Sequence, residues 1–150
     1  MKTAIIYESK HHGNTKKVCD AIAEACDVTL FDATEAPDPF PWAEYDLIGF
    51  ASGIAYKKYY ENVTLIAGTI PSGKQVFFIY TCARNDSDFS SGIRAVTEKN
   101  GAKAVGTYGC KGFNTYGPLK LIGGMNKLNP TEDELQEAVR FYKEMEAIKC

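Results

Sequence analysis

Ile5-Ile6-Tyr7-Glu8-Ser9-Lys10-His11-His12-Gly13-Asn14-Thr15-Lys16 decides the fold. An apolar run gives way to a polar loop, and Gly13 permits a tight turn. Helical spacing starts at once, with Val18, Ala21, Ile22 and Ala25 on one face. This is the pattern of a strand, a loop and a helix N-terminus. A helix start presents unpaired backbone N–H groups and the positive end of the helix dipole, so such a loop suits a phosphate. Ser9, Asn14 and Thr15 are short enough to add donors without crowding a ligand, and Lys10, His11 and His12 are donors too. The alternative is a plain strand-to-helix turn with Asn14 or Thr15 as N-cap.

Outward from this stretch, strands and helices alternate. Residues 4 to 7 read as a strand, 14 to 26 as a helix, and 28 to 31 as a shorter strand. Cys19 and Cys26 share a side of that helix and read as small packing residues rather than a metal pair. Pro37, Pro39 and Pro41 impose an extended connection, in which Trp42 packs over the sheet. Residues 47 to 51 form the next strand, followed by a loop over 52 to 58. Tyr59, Val63, Ile66 and Ile70 then step by helical intervals, predicting a helix over about 57 to 68. Val76 to Tyr80 is the most apolar strand and reads as central; a polar loop spans 81 to 88. Ile93 and Val96 mark a helix closed by Asn100-Gly101, and 104 to 108 is a fifth strand. Residues 110 to 130 are irregular, and a structureless segment of that length suggests function. Thr131 to Glu134 is a capping box, with Leu135, Val139, Tyr142 and Met145 as the stripe of a last helix ending near Ile148.

The chain of 150 residues reads as a single domain, 1–150, with a net charge of −2 that gives no reason to expect nucleic acid as partner. No leader pattern and no apolar run near the roughly 20 residues of a membrane helix is present, so no membrane is expected. Five cysteines, at irregular spacing and without a C-x-x-C pair, suit reduced thiols in the cytoplasm and no metal site. Alternating elements imply a doubly wound parallel sheet with helices on both faces, and its strands are runs because both sides are covered. Ligands in this architecture sit off the carboxyl ends of the strands. The loops at 9 to 15, 52 to 58 and 81 to 88 leave from that edge, and so does the 110 to 130 segment.

These residues resemble the flavodoxin family, whose phosphate loop ends in Gly-Asn-Thr, here Gly13-Asn14-Thr15. Within that family the chain looks like the members carrying Cys110-Lys111-Gly112, Gly117-Pro118 and Ile122-Gly123-Gly124. The resemblance implies a five-stranded sheet in order 2-1-3-4-5 and bound FMN. It implies that Ser9, Lys10, His11, His12, Gly13, Asn14 and Thr15 hold the phosphate. Ser52, Gly53, Ile54, Ala55 and Tyr56 would cover the ring on one side, and Thr81, Cys82, Ala83 and Asn85 on the other. The loop departs from the family: it is one residue longer, with Lys10-His11-His12 where hydroxyl residues are common. Tyr56 is the candidate ring-stacking residue, the alternative being that it packs under the following helix. Cys82 reads as a small neighbour of the flavin, since no His lies near it in sequence. Gly53 is the candidate for a peptide that turns over to meet the reduced ring.

The implied function is electron transfer with a redox partner protein, an electron carrier being favoured over a substrate-specific oxidoreductase. The rival is an FMN-dependent reductase of a quinone or similar acceptor, with Phe113, Tyr116 and Met125 walling a pocket. Family members present an acidic rim. Here Lys10, Lys16, Lys17, Lys57, Lys58, Arg84, Lys111, Lys120 and Lys127 lie in or beside the edge loops. A basic rim would steer an acidic protein or an anionic small molecule; the alternative is a neutral mosaic with Asp86, Asp88 and Glu61. A phospho-receiver lacks its Asp at position 52, which is Ser; no Cys-x5-Arg loop and no G-x-G-x-x-G opening the first helix is present.

Overall fold

Alternate residues of the inner strands feed two separate cores. Ile6, Ile48, Phe50, Val76 and Phe78 face one side. Ile5, Leu47, Ala51, Phe77 and Ile79 face the other. The period of two along a strand sends neighbours to opposite faces, so a sheet buried on both sides must be apolar throughout. This computed structural model describes residues 1–10, 12–113 and 123–148.

The elements are β1 (Thr3–Glu8), α1 (Asn14–Ala25), β2 (Thr29–Asp32), β3 (Leu47–Ala55), β4 (Lys58–Tyr59) and α2 (Glu61–Ala67). After them come β5 (Gln75–Cys82), α3 (Ser91–Lys99), β6 (Lys103–Lys111) and α4 (Glu132–Ala147). The parallel sheet runs β2-β1-β3-β5-β6, with β4 paired antiparallel to β3 alone. Counting β4 as an appendage, this is the order 2-1-3-4-5 that the resemblance implies. Val18, Cys19 and Ile22 of α1 and Ala138, Tyr142 and Met145 of α4 cover one face. Val63 and Ala67 of α2 and Ile93 of α3 cover the other. Trp42 opens a short 3-10 turn, and its ring lies 4.6 Å from Phe40 and 6.5 Å from Phe50, over the sheet as expected.

Three expectations are corrected. Ser52, Gly53, Ile54 and Ala55 are not loop residues: β3 continues through them into a hairpin with β4. Tyr59 belongs to β4 and not to a helical stripe, and its hydroxyl donates to the Ile79 carbonyl at 2.7 Å. Thr81 and Cys82 likewise lie inside β5. Spacing misleads here because a buried strand residue can satisfy a helical interval by coincidence. The capping box is present, Glu134 N–H donating to Thr131 Oγ1 at 3.2 Å and Thr131 N–H to Glu134 Oε1 at 2.9 Å.

The hairpin turns on Tyr56 and Lys57, both in the left-handed region at φ 53° and 64°. A two-residue turn of type I′, which matches strand twist, needs positive φ at both positions, and a Cβ is strained there. Lys57→Gly should therefore raise stability by about 0.5–1 kcal/mol, read as a higher urea midpoint at unchanged slope.

Candidate functional site

Because the sheet is parallel, the ends of β1, β3, β5 and β6 open on one edge, and strand order reverses between β1 and β3. α1 starts there. Gly13 is its N-cap, left-handed at φ 64°, and provides no side-chain cap. This displaces the reading of Asn14 or Thr15 as cap. Ser9 Oγ accepts the Lys16 N–H at 3.2 Å. The N–H groups of Asn14 and Thr15, in the first helical turn, have no carbonyl four residues back within the helix to bond.

A crevice of about 30 Å³ lies where these ends meet. Of the expected residues it brings together Ser9, Lys10, Asn14 and Thr15 with Gly53 and Ile54 and with Thr81, Cys82 and Ala83. Thr15 Oγ1 and Thr81 Oγ1 are 2.9 Å apart and join the first and third segments. Asn14 is buried; its Nδ2 donates to the Phe113 carbonyl at 2.8 Å. Its Oδ1 is buried with no partner. An acceptor left so costs about 1–3 kcal/mol unless a ligand donor meets it.

Other expected residues stand elsewhere. Ser52 is fully buried, donating from Oγ to the Gly53 carbonyl at 2.6 Å and accepting the Tyr60 N–H at 2.9 Å. That bond holds the Gly53 carbonyl, so a peptide turning over at Gly53 is disfavoured. A Cβ on Gly53 would fall 2.7 Å from the Tyr60 hydroxyl. Tyr56 is 98% exposed at the hairpin tip, so it does not pack under α2. Ala55 precedes it at the end of β3. Asn85 donates from Nδ2 to the Gly109 carbonyl at 3.0 Å and secures its loop instead of lining the crevice. His12 is exposed and stacks on Phe113, ring centroids 3.9 Å apart. His11 lies outside the described residues, as does 114–122 with Tyr116, Gly117, Pro118, Lys120 and Ile122.

Tyr60 and Gly112 also line the crevice, where sequence reasoning did not place them, and so does Phe113, the pocket-wall candidate of the reductase reading. Gly112 N–H donates to the Cys82 carbonyl at 2.9 Å and Asn126 Nδ2 to the Ala83 carbonyl at 2.6 Å. The long segment thus leaves and returns against the first and third loops. Its position after the last strand was the available signal.

Charge at the floor is paired. Glu8 is 2% exposed, and its Oε1 accepts from Asn62 Nδ2 at 2.8 Å. Lys10 Nζ lies 3.2 Å from Glu8 Oε2, close enough for an ion pair though not aligned as a hydrogen bond. The same amine sits 4.5 Å from the Tyr60 ring centroid. Burial pushes the Cys82 thiol up to about 12 and raises Cys110 as well. Cys82 Sγ–H donates to the Cys110 carbonyl at 3.5 Å. A thiol so held stays protonated and is no nucleophile. Among the described residues no cluster of three His, Cys, Asp or Glu could hold a metal. None of their helices is long and apolar enough to cross a membrane.

A family model described as a flavodoxin domain matches residues 4–101. An uncharacterised protein of Methanocaldococcus jannaschii is 35% identical over 147 residues, 95% of this chain and 97% of that protein. Oxidised flavodoxin 1 from Bacillus cereus superposes with a TM-score of 0.73 at 16% identity, over 99% of this chain and 100% of its own. A flavodoxin from the domain Archaea gives 0.61 at 16%, over 96% and 99%. Two-electron reduced Megasphaera elsdenii flavodoxin gives 0.59 at 19%, over 91% and 97%.

Proposed function

Because the chain belongs to the flavodoxin domain family, we propose that it binds FMN and carries electrons to or from a redox partner protein. The supporting observation is the crevice, where an uncapped helix start and the unpartnered Asn14 Oδ1 meet the ends of β3 and β5. Residues and cofactor fit in two respects. The first-turn N–H groups of Asn14 and Thr15, with Ser9, Lys10, His11, His12 and Gly13, suit a phosphate dianion. Asn14 Oδ1 suits a polyol hydroxyl. The enclosed space holds little more than a water-sized group, so the ring would be held at the rim by Gly53, Ile54, Ala55 and Tyr56 with Cys82 and Ala83.

When bound, FMN supplies the redox chemistry. The chain's own residues bind and shield. Lys10 balances charge at the phosphate end. Cys82, protonated, adds no charge beside the ring. Gly112 and Phe113 exclude water from the crevice. Among the described residues Cys19, Cys26, Cys82 and Cys110 are free thiols, which suits a reducing cytoplasm.

Adding FMN to the purified chain should turn it yellow and quench flavin fluorescence. At about a hundredfold Kd it should also add about 2.7 kcal/mol of stability. No spectral change would end this reading. A second reading, a reductase of a quinone or other small acceptor, draws on Phe113 at the crevice wall. Steady turnover with NADH or NADPH and a single two-electron reduction would favour it; two resolved one-electron steps favour the carrier.

A further inference from the structure

We propose that the two rims of the crevice form a docking surface for an acidic redox protein. This inference rests on the flavin reading and names the partner of that same site. The large apolar side chains exposed among the described residues are Met1, Tyr56, Leu65 and Leu128. Two of them stand on segments that run out from the crevice wall. Tyr56 tips the hairpin at 98% exposure. Leu128, at 84%, lies between Asn126, bonded to the Ala83 carbonyl, and Asn129, whose carbonyl accepts the Phe113 N–H at 3.1 Å. Each is flanked by lysine: Lys57 and Lys58 follow Tyr56, and Lys127 precedes Leu128.

The lysines have no acidic partner, whereas several of the nearby acids are already engaged. Among the described residues, Lys57, Lys58 and Lys127 are exposed and form no ion pair. Glu8 faces Lys10, Asp86 lies 3.8 Å from Arg84, and Asp88 lies 2.8 Å from Arg94. Glu134 is turned onto the N–H groups of Lys111 and Thr131. Glu61 is the uncompensated acid beside the hairpin, against two lysines there. In the first turn of α4, Glu132 and Asp133 are both exposed, Glu132 at the groove against α1. The hairpin rim is therefore locally positive, two lysines against Glu61, on a chain whose net charge is −2, while at the other rim Lys127 stands near the exposed Glu132 and Asp133.

The sign mismatch selects the occupant. A second copy would bring like charge onto like across a twofold contact. A small anion would want an enclosed pocket, whereas these lysines are spread over two rims with apolar tips between. Beside the hairpin an open groove of about 490 Å³, lined by Lys57, Lys58, Phe89 and Ile93, gives a partner's side chain a seat. Apolar centre with charged border is the composition of a transient protein interface.

Two experiments decide it. FMN-loaded, dithionite-reduced protein is reoxidised by ferricyanide, a trianion, or by hexaamminecobalt(III), a trication, at rising salt. A positive rim predicts a ferricyanide rate that falls about fivefold and a cobalt rate that rises, opposite to what the net charge predicts. The triple variant K57E/K58E/K127E should reverse both slopes while still taking up FMN. Separately, the FMN-free chain should bind poly-L-glutamate in calorimetry at low salt, and the triple variant should not. Slopes that follow the net charge, no poly-L-glutamate binding, a doubling of mass with concentration, or co-pelleting with phosphatidylserine vesicles would each overturn the proposal. A chain that stays colourless with FMN sinks the cofactor reading instead, and the poly-L-glutamate result still decides the surface.

Discussion

Gly112→Ala should weaken FMN binding at least tenfold and lower stability by about 1–2 kcal/mol. A Cβ on Gly112 would fall 2.5 Å from Asn14 Nδ2 and 2.7 Å from its Cγ. Asn14 is buried and tied to the Phe113 carbonyl at 2.8 Å, so it cannot swing aside without breaking that bond. Overfilling a packed site costs about 1–3 kcal/mol, and a tenfold loss of affinity is about 1.4 kcal/mol. Fluorescence titration with FMN and urea unfolding read the two effects. Asn14→Ala removes the two closest contacts and leaves only its Cβ at 3.0 Å, so Gly112→Ala should cost less on that background. A Gly112→Ala protein that is less stable but binds FMN at full strength would show that Asn14 does not touch the cofactor.

Glu134→Ala should cost about 2–3 kcal/mol, the largest stability loss expected of any exposed-edge carboxylate in this chain. Its carboxylate accepts from Thr131 N–H at 2.9 Å, from Lys111 N–H at 3.2 Å and from Asn129 Nδ2. One side chain thus caps α4 and ties both ends of the segment that closes on the crevice. Burial alone would raise its pKa, but the hydrogen bonds from Thr131, Asn129 and Lys111 outweigh that and hold it below the ordinary carboxylate range. Asp88 is likewise lowered: the hydrogen bonds from Ser90 and Arg94 overcome burial. A depressed folded-state pKa stabilises above the unfolded carboxylate value of about 4, and that contribution fades as pH falls through the folded value. Urea midpoints should therefore drop on acidification below about pH 4, and less steeply in Glu134→Gln/Asp88→Asn. An equal acid loss in that double variant would place the acid sensitivity elsewhere.

How much of this was legible varies by element. β1 to α1 could be read because an apolar run, a glycine and a helical stripe follow one another within a single local window. β5 could be read because a strand buried on both faces has no alternation to confuse. Ser52 to Ala55 could not: what makes them strand is pairing with Lys58 and Tyr59 and with the end of β5. The rim lysines were visible, but not which of them faces an acid.

The amino-acid sequence by itself determined the layered parallel sheet, the position of the helix start beneath Gly13, and the edge on which the loops gather. Periodicity and turn chemistry are local and act within a few residues. Only the tertiary structure decided that Asn14 meets Phe113, 99 residues away, that Glu8 meets Asn62, 54 away, and that Tyr60 closes over Gly53. Those contacts depend on the register of the whole sheet and on side-chain volume, and no local pattern encodes either.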